Sequence, residues 1–202
     1  MQQARPNHVI ASWFSHRDSP QTLFPPSTKY LAHNDFVNRF IRVDDSSEFL
    51  IYTDGACSNN GRYNPRGGCA FVFGPDDDAT KCFPLAQGNI TQGPVATSSR
   101  AELKAALAAL QYRNWDQERF DTLVIATDSA YVAKVATTWC HTWLNNGWRT
   151  AGGGPVANRD LWEELLDEIT SWYHRGLQVK FWQIPRGNNL DADAAAKWAA
   201  QH

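Results

Sequence analysis

The sequence predicts an α/β domain built on a mixed sheet with helices on its faces, and three observations lead there. Apolar segments of strand length recur between turn residues, three of them follow one another across short turns, and the later ones alternate with stretches of helical spacing. The order is β-β-β-α-β-α-α-β-α. With 202 residues and 43% hydrophobic content, the chain is long enough for one sizeable core.

Each element has its own local cause. FLIYTD, beginning at Phe49, is a short apolar strand that ends in an acid, and GGCAFVFG follows a Gly/Asn/Pro-rich turn as a second strand. A third strand is expected between Lys81 and Ile90, giving an antiparallel meander. Ser98 and Ser99 precede a helix from about Ala101 to Tyr112, in which Leu103, Ala106, Leu107 and Leu110 share one face. Thr122 to Thr127 is a continuous apolar strand stopping at Asp128. Helices are expected around Ala130 to Leu144 and Val156 to Tyr173, either side of the glycine-rich NNGWRTAGGGPVAN. Leu177 to Ile184 is the last strand and Leu190 to Ala200 a terminal alanine-rich helix.

Residues 1–47 read differently. They are rich in Pro, Ser, His and Asn, and Pro20, Pro25 and Pro26 interrupt any long periodicity, so an irregular N-terminal extension is expected before a domain over 48–202. Phe36, Val37, Phe40 and Ile41 are apolar enough to dock a small helix onto that domain.

Nineteen Lys and Arg stand against twenty-one Asp and Glu, so total charge advertises no polyanionic partner and any nucleic-acid contact must be local. Cys57, Cys69, Cys82 and Cys140 lack CxxC spacing and read as free thiols of a reducing compartment. No apolar run approaches the roughly 20 residues that span a bilayer. A soluble, intracellular monomer without membrane contact is expected, with cytoplasm, nucleus and mitochondrion unresolved.

The chemistry lies in the acids. Asp54 and Asp128 each follow a Thr at the end of a strongly apolar strand, where ligand sites of open α/β sheets gather. A lone acid there commonly just caps the next turn. Two strands ending alike bring both acids within reach of one cation if the strands are neighbours. Glu102 flanks the apolar stripe of its helix and points toward the sheet edge. On the last helix Asp191 and Asp193 fall on opposite sides of the alanine stripe, and wheel geometry does not choose between them. Gathered carboxylates repel unless a cation neutralises them, and hard oxygen ligands favour Mg²⁺ or Mn²⁺ over zinc. Two such ions roughly 3.5–4 Å apart activate a water and stabilise the leaving oxygen of a phosphodiester.

The segments YTDGACSNNG, TSSRAELKAAL, ATDSAYV, WCHTWLNNGWRT with GPVANRDLW, and NLDADAAAKWA together resemble a type 1 ribonuclease H, over about three-quarters of the chain, from Phe49 to Ala200. The resemblance implies the ribonuclease H-like fold, a five-stranded mixed sheet of three antiparallel then two parallel strands with helices on both faces. It also implies an endoribonuclease that cuts the RNA strand of RNA–DNA hybrids with two Mg²⁺ or Mn²⁺ ions and leaves 5′-phosphomonoesters. The implied carboxylates are Asp54, Glu102, Asp128 and Asp193, the last because NLDADAAA resembles the family's Asn-x-x-Ala-Asp motif. Cys57, Asn60 and Ser98 match positions near RNA 2′-hydroxyls. Thr97 matches part of a pocket for a DNA phosphate, and Trp139 and Trp143 match an aromatic channel for the DNA strand.

Two departures from the family stand out. The loop before the last helix, IPRGNN, lacks the His that many members carry, and Arg186 stands nearest its place, able to hold a phosphate but not to shuttle a proton. The stretch that is a strongly basic handle in some members offers mainly Arg149 and Arg159, so a shallow salt dependence of binding is expected. No second hybrid-binding module is visible in residues 1–47, and Ala130 replaces a longer polar side chain. Two rival readings are a binding module that recognises hybrids or structured RNA without cutting and a nuclease of the same chemistry turned toward double-stranded RNA or exonuclease action.

Overall fold

In a computed structural model, which describes residues 8–86 and 96–202, the strands are β1 (Ser12–Phe14), β2 (Pro26–Tyr30), β3 (Phe36–Ile41), β4 (Glu48–Ser58), β5 (Arg66–Val72), β6 (Thr80–Pro84), β7 (Thr122–Thr127) and β8 (Gln178–Gln183). The α-helices are α1 (Pro20–Leu23), α2 (Ser98–Gln111), α3 (Ala130–Lys134), α4 (Cys140–Asn146), α5 (Arg159–His174) and α6 (Leu190–Ala199). One turn of π-helix, Val135–Trp139, joins α3 to α4 where one continuous helix was expected.

β4 is the spine of the sheet. Its first half pairs in parallel with β7, from Glu48↔Thr122 to Tyr52↔Ala126, and β7 pairs in parallel with β8. On its other edge β4 pairs antiparallel with β3 at Leu50 and Phe49, then with β5 from Tyr52 to Ser58, and β5 carries β6. The expected meander and parallel pair are therefore present. The expected third strand stops at Pro84, and residues 87–90 of that range lie outside the described residues.

Both sheet faces are buried, as strict alternation requires. Phe49 and Ile51 of β4 join Leu123 and Ile125 of β7 and Phe181 of β8 in a core covered by α2 and α5. The residues between them, Leu50, Tyr52, Val124, Ala126 and Trp182, face a second apolar cluster that includes Ala192 of α6. Each fully buried side chain of this size stabilises by roughly 1.5–3 kcal/mol, which is why so many β-branched and aromatic residues crowd these strands.

The N-terminal region corrects two expectations, irregularity and a five-stranded sheet. Among the described residues the sheet has eight strands, because β1 extends it beyond β8 and the β2–β3 hairpin extends it beside β4. Instead of docking a helix, Phe36 to Ile41 form a strand. Phe14, Leu23 and Phe24 close the second face of the sheet against Trp182. A buried ion pair fixes the hairpin: Arg39 of β3 donates through Nε (2.8 Å) and Nη2 (2.5 Å) to Glu118, with its guanidinium over the rings of Phe73 and Trp115.

Candidate active site

The register of β4 against β7 brings the first two acids together. Their last pair is Tyr52↔Ala126, and Asp54 and Asp128 each lie two residues beyond it. The Thr53 hydroxyl donates to the Ala126 carbonyl (3.4 Å) where the strands part. Asp128 does follow the end of its strand, but Asp54 does not. β4 continues to Ser58 because its antiparallel pairing with β5, Asp54↔Ala70 included, outlasts the parallel one.

Two glycines bring in the other two acids. A Cβ on Gly55 would meet the backbone nitrogen of Glu102 at 2.0 Å, so only glycine lets the first turn of α2 lie directly on β4. Gly68 does the same on the opposite face: a Cβ there would meet Ala196 O and Ala200 N at 2.3 Å, so α6 lies directly on β5. α2 starts earlier than expected, at Ser98, with Thr97 rather than a serine as its cap; the Thr97 hydroxyl accepts from Arg100 N at 3.2 Å. On α6, Asp193 is buried and faces the same groove as the other acids, whereas Asp191 is exposed beside a different cavity.

Asp54, Glu102, Asp128 and Asp193 thus line one open groove of about 590 Å³, together with Cys57, Ser98, Arg186 and Lys197. A larger cavity, about 720 Å³, lies between α4 and α5 and contains none of the four acids. Size alone indicates no chemistry, and the four acids make the smaller groove the candidate site.

Electrostatics differ from acid to acid. Burial, and then the negative charges of Asp128, Asp193 and Glu102, push the Asp54 carboxyl up to about 7. Burial also raises Glu102, against a hydrogen bond from Ser129 Oγ (2.6 Å) that favours its charged form. Asp193 goes the other way: burial is outweighed by hydrogen bonds from Lys197 Nζ to Oδ2 (2.5 Å) and Arg186 Nη2 to Oδ1 (2.5 Å). Among the described residues no three His, Cys, Asp or Glu side chains already converge on a common point that would hold a metal ion. Asp193 is instead held by two cations and Glu102 by a hydroxyl. As a donor set, four carboxylates facing one groove suit a hard divalent cation.

The expected substrate contacts divide into two groups. Cys57 and Ser98 line the groove; Asn60, in the turn after β4, donates through Nδ2 to Ser98 Oγ (3.0 Å), and the Cys57 thiol reaches Ala96 O at 3.6 Å. Trp139 and Trp143 do not line it. Trp139 is about half exposed, while Trp143 is 9% exposed and packs on Trp148 and Trp162. Among the groove-lining described residues there is no histidine, and the nearest cations are Arg186 and Lys197.

The RNase H family model matches residues 46–201, which is more than half of the chain. The chain belongs to the RNase H family. It is 41% identical over 121 residues to ribonuclease H of Treponema pallidum, covering 57% of this chain and 69% of that one. Mouse ribonuclease H1 is 34% identical over 156 residues, 75% of this chain but 50% of its own, so the chain spans about half the length of that relative. Among solved structures, the PFV RNase H domain superposes with a TM-score of 0.55 at 19% identity, over 75% of this chain and 93% of that one, a likeness of fold.

Within this RNase H fold, sequence reasoning passed over three polar residues of the site. Ser129 both caps α3, accepting from Val132 N at 3.2 Å, and holds Glu102; its place after Asp128 at a helix start was the available signal. Lys197, one helical turn after Asp193, was hidden among exposed-looking helix charges. Asn189, which in the sequence only marked a motif, is buried and donates to Thr53 O (3.0 Å), with Asp128 Oδ1 at 3.5 Å, while its own Oδ1 has no partner among the described residues.

Proposed function

We propose that this chain is an endonuclease that hydrolyses the RNA strand of RNA–DNA hybrids, requires two Mg²⁺ or Mn²⁺ ions, and leaves 5′-phosphomonoesters. The observation that carries the reading is the convergence of Asp54, Glu102, Asp128 and Asp193, from four separate segments, on one groove. Family membership supports it, as do relatives that bear the name ribonuclease H.

Asp54, Glu102, Asp128 and Asp193 would hold the ions. When bound, the ions supply Lewis-acid stabilisation of the scissile phosphate and a water made acidic enough to attack it. The chain's own residues do the rest. Burial and the neighbouring carboxylates push the Asp54 carboxyl up to about 7, so a cation bound there would favour its charged form by offsetting those neighbours. Arg186 and Lys197, both bonded to Asp193 at the groove, would present two cations to the phosphate backbone. Ser98 and Cys57 line the groove, with Asn60 bonded to Ser98, and there ribose 2′-hydroxyls would distinguish RNA from DNA. Thr97 would meet a DNA phosphate. Trp139 offers an exposed ring to the DNA strand, with Trp143 packed behind it as support.

The test is a substrate panel. End-labelled RNA–DNA hybrid, double-stranded RNA and single-stranded RNA are each incubated with Mg²⁺, Mn²⁺ or chelator. Metal-dependent cutting of the hybrid alone is the expected result. Binding without cutting would make the chain a recognition module, and cutting of double-stranded RNA would reassign its substrate.

A further inference from the structure

The family match begins at residue 46, so β1, α1 and the β2–β3 hairpin are additions to the matched domain. They are not placed at random with respect to the groove. Gln21 of α1 donates from Nε2 to the main-chain oxygen of Asn188 (2.8 Å), in the short turn Arg186–Asn188 that leads into α6. Next to it Phe24, fully buried, sits in the apolar cluster that holds Ala192 and Ile184, with its ring 6.1 Å from that of Trp182. The cluster that Phe24 joins thus includes residues on both sides of the turn, Ile184 before it and Ala192 after it. That turn carries Arg186, and α6 carries Asp193, joined to each other across the groove.

The turn is anchored at its far end, where buried Asn189 donates to Thr53 O, and Arg186 reaches Asp193 through its side chain. Between Pro185 and Asn189 its residues are largely exposed, and the main-chain hydrogen bonds there are the two local ones from Asn188 N to Pro185 O (2.8 Å) and Asn189 N to Arg186 O (3.0 Å). Local bonds of this kind open at low cost, and one added partner at Asn188 shifts that equilibrium measurably. We propose that the N-terminal segment is a positioning element of the nuclease site: Gln21 and Phe24 fix the turn so that Arg186 stays over the groove beside Asp193. The proposal rests on the nuclease reading for its functional consequence but not for its structural one.

Two measurements test it. Amide hydrogen exchange of the full chain reads the brace directly: in Gln21→Ala and Gln21→Glu, which both remove the donor, the amides of Asn188 and Asn189 should exchange roughly three- to tenfold faster, with β7 amides unchanged. Unchanged exchange at those two amides would overturn the proposal. Hybrid affinity in chelator, read by fluorescence anisotropy, tests the route through Arg186. Gln21→Ala should weaken binding roughly two- to fivefold in the parent and leave it unaltered in an Arg186→Ala background. An equal loss in both backgrounds would overturn the route. A parent protein that does not bind hybrid at all would count against the nuclease reading instead, and the exchange result would then decide the brace alone.

Discussion

The side-chain amide of Asn189 donates to the carbonyl oxygen of Thr53, 3.0 Å away, and so ties the start of α6 to the strand that carries Asp54. Both groups are buried, so the bond fixes the distance between two of the four acids without help from solvent. Loss of the donor would leave the Thr53 carbonyl without this partner. Asn189→Asp should therefore cost about 1–3 kcal/mol in urea unfolding, and more activity than stability, because the new carboxylate faces Asp128. Activity within twofold of the parent would show that α6 is positioned by other contacts.

Gly68 tests the same geometry from the opposite face of the sheet. Alanine there brings a methyl group to 2.3 Å from backbone atoms of α6, which must move away. Overpacking of this kind costs about 1–3 kcal/mol, and the displaced helix takes Asp193 with it. We expect Gly68→Ala to lose hybrid cleavage at least about tenfold while remaining folded by circular dichroism, since small misplacements at a reacting centre are expensive.

Asp54 makes stability depend on pH. Its carboxyl is pushed up to about 7, first by burial and then by Asp128. An unfolded Asp loses its proton near about pH 3.9, so from there to about pH 7 the folded chain keeps a proton that the unfolded chain has lost, and stability falls as pH rises. Above about pH 7 the cost is complete. Asp54→Asn removes it, and in chelator at about pH 8 the variant should be more stable than the parent by about 1–3 kcal/mol, the gain shrinking toward about pH 4. A gain that is absent at high pH, or that grows on acidification, would contradict this assignment.

The buried pair of Arg39 and Glu118 tests whether the N-terminal strands belong to the folding unit. Glu118→Gln leaves the guanidinium buried without its counter-ion, at a cost of about 3–5 kcal/mol. If β3 folds with the rest, a single cooperative transition should shift by that amount. Two separate transitions, or a shift below about 1 kcal/mol, would mean that the hairpin is peripheral.

These predictions separate what the sequence made visible from what it did not. β7 was legible residue by residue, because a continuous run from Thr122 to Thr127 buried on both faces admits little else. The matching places of Asp54 and Asp128 were legible because a Thr-Asp pair closes each apolar run, and the parallel register makes those positions equivalent although β4 itself runs on. The N-terminal strands were not. Pro26 was taken as a breaker, yet a proline is tolerated at the first residue of a strand, and β1 is three residues long, too short to show a period. The continuation of β4 past Asp54 was equally hidden, since it depends on a partner strand that pairs with only half of it. Gly55 and Gly68 looked like ordinary turn and strand glycines. Their role appears only when helix backbones are seen lying within 3 Å of where a Cβ would be.

Four acids acting together on a phosphodiester is the central claim, and Asp128→Asn tests it most directly. The variant keeps the size of the side chain and removes one charge from the groove. With Mg²⁺ or Mn²⁺ and labelled RNA–DNA hybrid, the parent should cut the RNA strand and the variant should be slower by at least about a thousandfold, as expected when a metal ligand is lost, while still binding the hybrid. Cleavage by Asp128→Asn within about tenfold of the parent would contradict the account.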